Sequence, residues 1–475
     1  MAKAKNKIRI TVPSPSAEMV AGSMIFVEST NNKFILDCGL HQNPNIRDQF
    51  LANTRKLPFK VKDLDYIFLL HAHADHSLLL PRLVKEGFQG RVITPKGAST
   101  LFSIMGKDSA YISQKEVHTL EMKYKKHYEP LYEECDVYNS LELFDEYDFR
   151  EKIELNPDLQ FEFYPAGHIL GSAQVKLWVR EGNQVKTVGY TSDFSNNKVP
   201  QFYTEDFEPM DKVQCLFGEA TYSRQARDVK IADRNTDLRK LHDIIKNVCC
   251  NNRKKVLIPS FSLSRSQQVL TYLYNIFGKD ESFKIPILID SPLTISICDA
   301  YMKLLEGDDL ELFKKVMAWD NVKLIKDYKE SQVWQMGKEP YVAIASSGMM
   351  TAGRSVSHAK SLLPDRGNHI LFVGFSTENS LAEKIKNGHK QKTITIEKKA
   401  IPNRCGITEL HSLSSHADRS GLMDYYSNIQ ADKICLLHSE QDSKVEFAKE
   451  LQEEIYKKSK TTKIVATNKS TSILL

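Results

Sequence analysis

The sequence lacks any apolar run approaching the roughly 18 to 20 residues that cross a bilayer, and its opening MAKAKNKIRI lacks the apolar segment of a secretory signal. No membrane partner is expected, and a cytoplasmic setting is. Cysteine is sparse: the eight residues at 38, 135, 215, 249, 250, 298, 405 and 435 form no CxxC pair and no disulfide-like spacing. Cys249 and Cys250 end the expected helix DLRKLHDIIKNV and read as reduced packing residues, as does Cys38. Any metal must then be held by His and Asp. There is no low-complexity linker and no tandem repeat. A charge excess is almost absent too: 65 basic against 60 acidic residues leave +5, which tolerates a polyanionic partner without demanding one.

What is present is a globular composition, 41% hydrophobic and 26% charged over 475 residues, enough for two or three domains. The first 200 residues are punctuated by short β-type runs, MIFVES, KFILDCG, DYIFLL, RVITP, FEFYPA, QVKLWVR and KTVGYTSD, each closed by turn-forming residues. Helices are expected after HADH and across the polar stretch from about 106 to 152. From about 206 the rhythm becomes strand, polar loop, helix, repeated in KVLIPSFSLSRSQQVLTYLY, IPILIDSPLTISICDAYMKLL, YVAIASSGMMTAGRSVSHAKSLL and ILFVGFSTENSLAEKIKNG. Continuous apolar strands followed by amphipathic helices predict a doubly wound parallel sheet. After about 400, TITIEKKAI, RCGITEL, KICLLHSE and KIVATN restore the β pattern, with helices at GLMDYYSNI and KVEFAKELQEEIYKK. The expected divisions are 1–205, 206–400 and 401–475.

Residues 71–76 read HAHADH at the end of the apolar run DYIFLL. Alternation puts His71 and His73 on one side of an extended segment, while Asp75 and His76 fall in the following turn. One strand end can thus feed two adjacent metals, and imidazole with carboxylate suits zinc or a similar ion. Three further strand ends deliver the same chemistry: His168 after FEFYPA, Asp193 in GYTSDFS and His438 in KICLLHSE. Recurrent delivery of His and Asp by strand termini is expected where one edge of a sheet layer carries a site.

LDCG at 36–39, HAHADH, GHILGS at 167–172 and TSDFS at 191–195 resemble the motifs of the metallo-β-lactamase fold. GEATYS at 218–223, SSHADR at 414–419 and LLHSE at 436–440, with SPL at 291–293 and SSGMMTAGRS at 346–355, resemble its nucleic-acid-processing β-CASP branch. The resemblance covers almost the whole chain. It implies an α/β protein, an αββα sandwich with the doubly wound β-CASP domain inserted. It also implies two zinc ions per chain, one on His71, His73 and His168, the other on Asp75, His76 and His438, with Asp193 bridging. Asp37 would orient ligands from behind them, and His416, positioned by Glu219, would donate a proton to the leaving oxygen.

Two such metals can share a hydroxide nucleophile for phosphodiester hydrolysis. Loops at helix N-termini offer a phosphate grip: Ser260 and Arg265 in SFSLSRS, Ser291 in DSPLTIS, and Ser346, Ser347, Gly348 and Arg354 in SSGMMTAGRS. The resemblance implies a zinc-dependent ribonuclease of the cleavage-factor type, cutting single-stranded RNA, with an endonucleolytic mode expected. His438 favours RNA, since DNA-repair members tend to carry valine there. The competing readings are a small thioester or lactone hydrolase and a non-catalytic RNA-binding scaffold. The sequence departs from the family at SPSAEMVAGS, which lacks the Gly-rich, Arg-containing start, and at Ser439, which replaces a glycine. His411 reads as structural or solvent-facing, and the charge is compatible with a monomer or a homodimer.

Overall fold

The structure, a computed structural model, describes residues 7–475 apart from 14–16, 18, 19, 21, 44, 198–200, 225–233, 375, 377–379, 389–391 and 470. Most of the departing SPSAEM segment and part of the GFSTENS loop lie outside the described residues. The chain forms two compact units, one from 1–228 with 415–475 and one from 229–414.

These borders differ from the expected 206 and 400, and strand pairing explains why. Val213–Glu219 follows residue 206, yet it pairs in parallel with Gln184–Tyr190 and with Ala431–Leu437, inside the first unit. Gly406–Glu409 follows residue 400, yet it pairs in parallel with His369–Phe372 and extends the sheet of the second unit. A sequence rhythm locates a strand but does not say which sheet it joins.

The first unit is built on two seven-stranded sheets. Their strands alternate side chains between two faces. Phe34, Leu36 and Phe68 of one sheet and Phe161, Phe163, Val175, Leu177, Cys215, Phe217, Cys435 and Leu437 of the other share one buried cluster. Ile35, Ile67, Leu69 and Val92 point the opposite way, onto Leu80, Leu83, Phe102 and Val137 of helices. Leu216, Ile434 and Leu436 likewise meet Leu422, Tyr426, Phe447 and Leu451. Helix, sheet, sheet, helix is the result, the αββα sandwich expected. Burial of each large apolar side chain contributes roughly 1.5–3 kcal/mol, and the alternating pattern pins the register of every strand.

The stretch expected to be helical from 106 to 152 ends differently. Helices Ala98–Tyr124 and Glu134–Leu141 are followed by the strand Phe144–Tyr147, which pairs in parallel with Arg91–Pro95 at the sheet edge. Its polar composition, FDEY, is that of an edge strand and hides the periodicity of a buried one.

The second unit holds a six-stranded, all-parallel sheet. Both side-chain sets of its central strands are buried, Leu257 and Ala343 on one face, Val256, Ile258, Val342 and Ile344 on the other. Such strands need cover on both sides, and this is the doubly wound arrangement expected.

Candidate metal centre and acid pair

Strand ends bring the site residues of the first unit together. Strands Leu159–Pro165, Gln184–Tyr190, Val213–Glu219 and Ala431–Leu437 run in one direction, the first two flanking the antiparallel Ala173–Glu181, so their C-terminal ends share one edge. That edge carries His168, Asp193, Glu219 and His438. The other sheet contributes Asp37 after Lys33–Leu36 and His71 shortly after Tyr66–Phe68.

LDCG and HAHADH are laced by backbone bonds: Asp37 N–H to Phe68 O at 2.8 Å, Cys38 N–H to His76 O at 2.7 Å and Leu40 N–H to Ala74 O at 2.9 Å. The approach is so close that a Cβ on Gly39 would lie 1.7 Å from the Asp75 carbonyl oxygen. Glycine is obligatory there. Asp37, with φ of 56°, is thereby aimed beneath His76.

One set of groups contains His71, His73, His168 and Asp193, and another contains Asp75, His76 and His438, each set with its ligand atoms within 4.8 Å of one another. Nε2 of His168 faces Nδ1 of His73 at 3.1 Å. His168 donates its Nδ1–H to the Ser415 carbonyl at 2.7 Å, which leaves Nε2 as a bare lone pair aimed at His73. Asp193 Oδ2 lies 3.8 Å from both His71 Nε2 and His168 Nε2, and 3.2 Å from His76 Nε2. Its Oδ1 lies 3.2 Å from His438 Nδ1, and His438 Nε2 is 3.5 Å from Asp75 Oδ2. Asp193 therefore stands between the two sets.

His71 Nε2, Asp193 Oδ1 and His438 Nε2 are buried and make no hydrogen bond. Buried polar atoms are ordinarily paired, and stranded donor atoms amid five imidazoles and two carboxylates fit a divalent cation. Each of the two clusters could hold a metal ion. Burial holds His71 and His168 well below the ordinary histidine range and His73 at about 4, so these three stand ready without protons. Burial presses His76 and His438 the same way, but the Asp193 charge outweighs it, with Asp37 adding to the rise at His76 and Asp75 to that at His438, which reaches about 10.

Beside the clusters, His416 Nδ1 lies 3.2 Å from Glu219 Oε1. Glu219 is fully buried and fixed at both carboxylate oxygens, Oε1 accepting from Phe194 N–H at 2.9 Å and Oε2 from Thr221 N–H at 3.3 Å. Burial alone would lower His416, but Glu219 and Asp193 raise it above the ordinary histidine value. A partly open, protonated imidazole next to metal ligands can deliver a proton.

The loop residues foreseen for phosphate lie in the second unit, just past the C-terminal ends of parallel strands: Ser260, Ser291 and Ser346 each immediately follow one. Ser346 Oγ donates to Ser291 Oγ at 2.8 Å, and Ser347 Oγ accepts from Thr351 N–H at 3.2 Å beside Gly348. Arg265 opens the helix Arg265–Phe277 and is buried. Arg354 is placed differently from expectation. Its guanidinium donates to Asp290 Oδ1 at 2.8 Å and to the carbonyls of Asp327 and Lys326, so its charge tethers the loop from within. His411 is 44% exposed at its side chain and 3.8 Å from Glu409, which fits the solvent-facing reading.

Sequence reasoning missed the support around Asp37. Its Oδ2 accepts from Tyr190 O–H at 2.9 Å and Ser192 O–H at 2.8 Å as well as facing His76. The signal was available, since both residues flank Thr191 at the start of TSDFS.

Residues 18–127 match the family model of the metallo-beta-lactamase superfamily, 266–385 that of the Beta-Casp domain, and 400–462 that of the Zn-dependent metallo-hydrolase RNA specificity domain. A transcription termination factor FttA from Methanocaldococcus jannaschii is 27% identical over 454 residues, covering 91% of this chain and 67% of that protein. Its counterpart from Methanothermobacter thermautotrophicus is 26% identical, covering 90% and 66%. The chain thus spans about two thirds of the length of these factors. A ribonuclease from Thermus thermophilus is 25% identical, covering 92% of this chain and 95% of its own. Among solved structures, a protein of unknown function from Enterococcus faecalis V583 superposes over 99% of this chain and 100% of its own with a TM-score of 0.55 at 11% identity, a likeness of fold alone.

Proposed function

We propose, on the premise that the chain belongs to the β-CASP branch of the metallo-β-lactamase superfamily, that it is a zinc-dependent ribonuclease cutting within single-stranded RNA. The family makes it a metal-dependent hydrolase. The observation that carries the finer reading is the convergence of three stranded buried atoms, on His71, Asp193 and His438, beside the His416–Glu219 pair.

Two zinc ions, one on His71, His73 and His168 and one on Asp75, His76 and His438 with Asp193 shared, would supply charge neutralisation and a water of lowered pKa. Asp37 holds His76 in the Nδ1–H form and so presents Nε2 to the site. Glu219 holds the His416 ring by Nδ1, which leaves its other nitrogen to protonate the departing 3′ oxygen. The loops bearing Ser260, Ser291, Ser346, Ser347 and Gly348 are proposed to bind phosphate through hydroxyl and backbone N–H groups. Arg354 serves by fixing the last of these loops.

RNA is favoured by the RNA specificity domain match and by relatives named ribonuclease and transcription termination factor. Cleavage of a transcript during termination is compatible with this chemistry. A small-ester hydrolase would have no use for the inserted parallel sheet, and a degenerate scaffold would not keep seven candidate metal ligands.

Internally labelled single-stranded RNA incubated with wild type, Asp75→Ala and His416→Ala tests the proposal. Wild type is expected to cut it and to hold about two zinc ions, while both variants lose activity. Equal cleavage by wild type and Asp75→Ala overturns the metal-site assignment. Labels at each end, releasing long fragments rather than mononucleotides, identify internal cleavage.

A further inference from the structure

The strands Val213–Glu219 and Ala431–Leu437 lie side by side in parallel with Glu219 opposite Leu437, so the loops after them leave the sheet together. They are stitched by Ala220 N–H to Leu437 O at 2.9 Å and by Ser223 Oγ to Ser439 Oγ at 2.8 Å. Between these two stitches sits Thr221. Its N–H donates to Oε2 of Glu219 at 3.3 Å, and its Oγ1 lies 3.1 Å from Nδ1 of His438. One residue thus touches both the carboxylate that orients the proton donor and an imidazole at the metal centre.

His438 has two ring nitrogens in different surroundings. Nδ1 faces Thr221 Oγ1 and Asp193 Oδ1, whereas Nε2 is buried, makes no hydrogen bond and is 3.5 Å from Asp75 Oδ2. A metal needs a lone pair, and the proton must then reside on the other nitrogen with something to accept it. Asp193 Oδ1 lies 3.2 Å from Nδ1 but makes no hydrogen bond with it. The threonine hydroxyl remains as an acceptor. We infer that Thr221 is a positioning residue that accepts the Nδ1–H of His438, fixing the tautomer that turns Nε2 toward the zinc bound by Asp75, His76 and His438.

The inference rests on the two-zinc reading of the site, and stepwise zinc titration separates the two. Metal-free wild type, Thr221→Val, Thr221→Ser and Asp75→Ala are titrated with zinc against a chromogenic chelator, with thermal melts confirming the fold. Thr221→Val keeps the shape and the backbone N–H but removes the hydroxyl. It is expected to weaken one of the two zinc equivalents by about 10- to 100-fold and to leave the other in place. Thr221→Ser restores the hydroxyl and should bind both within about threefold of wild type, by the same reasoning on hydroxyl acceptors. Asp75→Ala identifies the affected equivalent by losing the same one. Equal affinities in wild type and Thr221→Val, or equal weakening of both equivalents, overturn the inference while sparing the site. A wild type that takes up no zinc overturns both.

Discussion

Oδ2 of Asp37 lies 2.7 Å from Nδ1 of His76, and neither side chain is exposed to solvent. The same oxygen also accepts from Tyr190 and Ser192, and Oδ1 accepts from the backbone N–H of Leu70 at 2.9 Å. Such a carboxylate has no freedom to turn away. Asp37→Asn retains the size and tolerates the left-handed backbone, but its amide can no longer accept every one of these bonds. Zinc affinity is expected to fall about 10- to 100-fold, measured by competition with a chelator.

Zinc uptake should release protons. His71, His73 and His168 are held neutral, but His76 and His438 are held protonated in the metal-free chain, His438 with a value near 10. A raised value means that the proton is present at pH 7 and must leave before a lone pair can bind. Calorimetric titration in buffers of different ionisation enthalpy should show up to about two protons released per chain, and affinity should fall as pH is lowered.

His416 should govern the alkaline limb of activity. Glu219 helps raise its value, so it remains protonated and able to donate at neutral pH, and that capacity is lost as pH rises through the raised value. Glu219→Gln should move this limb to lower pH and slow cleavage. His416→Ala should cost roughly 10²- to 10⁴-fold in kcat with zinc content retained. Rate profiles against pH, paired with metal analysis, check both.

Stability of the second unit should carry the signature of His369. Burial lowers it to about 4, and its Nε2 is 2.9 Å from Thr408 Oγ1. Below about 6.5 the unfolded chain takes up a proton that the folded unit refuses, so stability is lost as pH falls from about 6.5 to 4, by at most about 3 kcal/mol. His369→Gln should flatten the pH dependence of denaturant unfolding in that window.

Phe161 is the test of the sandwich. Its ring meets Phe68 of the opposite sheet at 5.4 Å, Tyr147 at 5.1 Å and Phe163 at 4.9 Å, and it has no exposed surface. Phe161→Ala should destabilise by about 3–5 kcal/mol in urea unfolding, through lost burial and the void left behind.

The fold was legible where periodicity was clean. The β-type runs FEFYPA and QVKLWVR, closed by turn residues, announced strands, and continuous apolar runs in VLIP and ILID announced a parallel sheet. Phe144–Tyr147 was not legible, because an edge strand needs no apolar alternation. The unit borders were misplaced for a related reason: partner choice between Val213–Glu219 and its neighbours is a long-range event that local composition does not encode. The seven candidate ligands could be read from His and Asp recurring at strand ends, whereas the roles of Asp37, Glu219 and His416 came from the resemblance of their motifs to those of the family. Arg354 was assigned to phosphate from its charge alone, and the carboxylate that engages it, Asp290, lies far away in sequence. Thr221, lying inside a motif already noticed, carries no charge and no metal-binding atom, and only the register of two strands reveals its contact with His438.

The second unit enters the chain between two strands that are immediate neighbours in one sheet, Val213–Glu219 and Ala431–Leu437. During synthesis the ribosome therefore delivers His71, His73, His168 and Asp193 early, and withholds His416 and His438 until the whole insertion has emerged. A nascent chain halted before residue 416 already carries six of the seven candidate ligands, Asp75 and His76 included, and lacks only His438 among them, together with His416 of the acid pair.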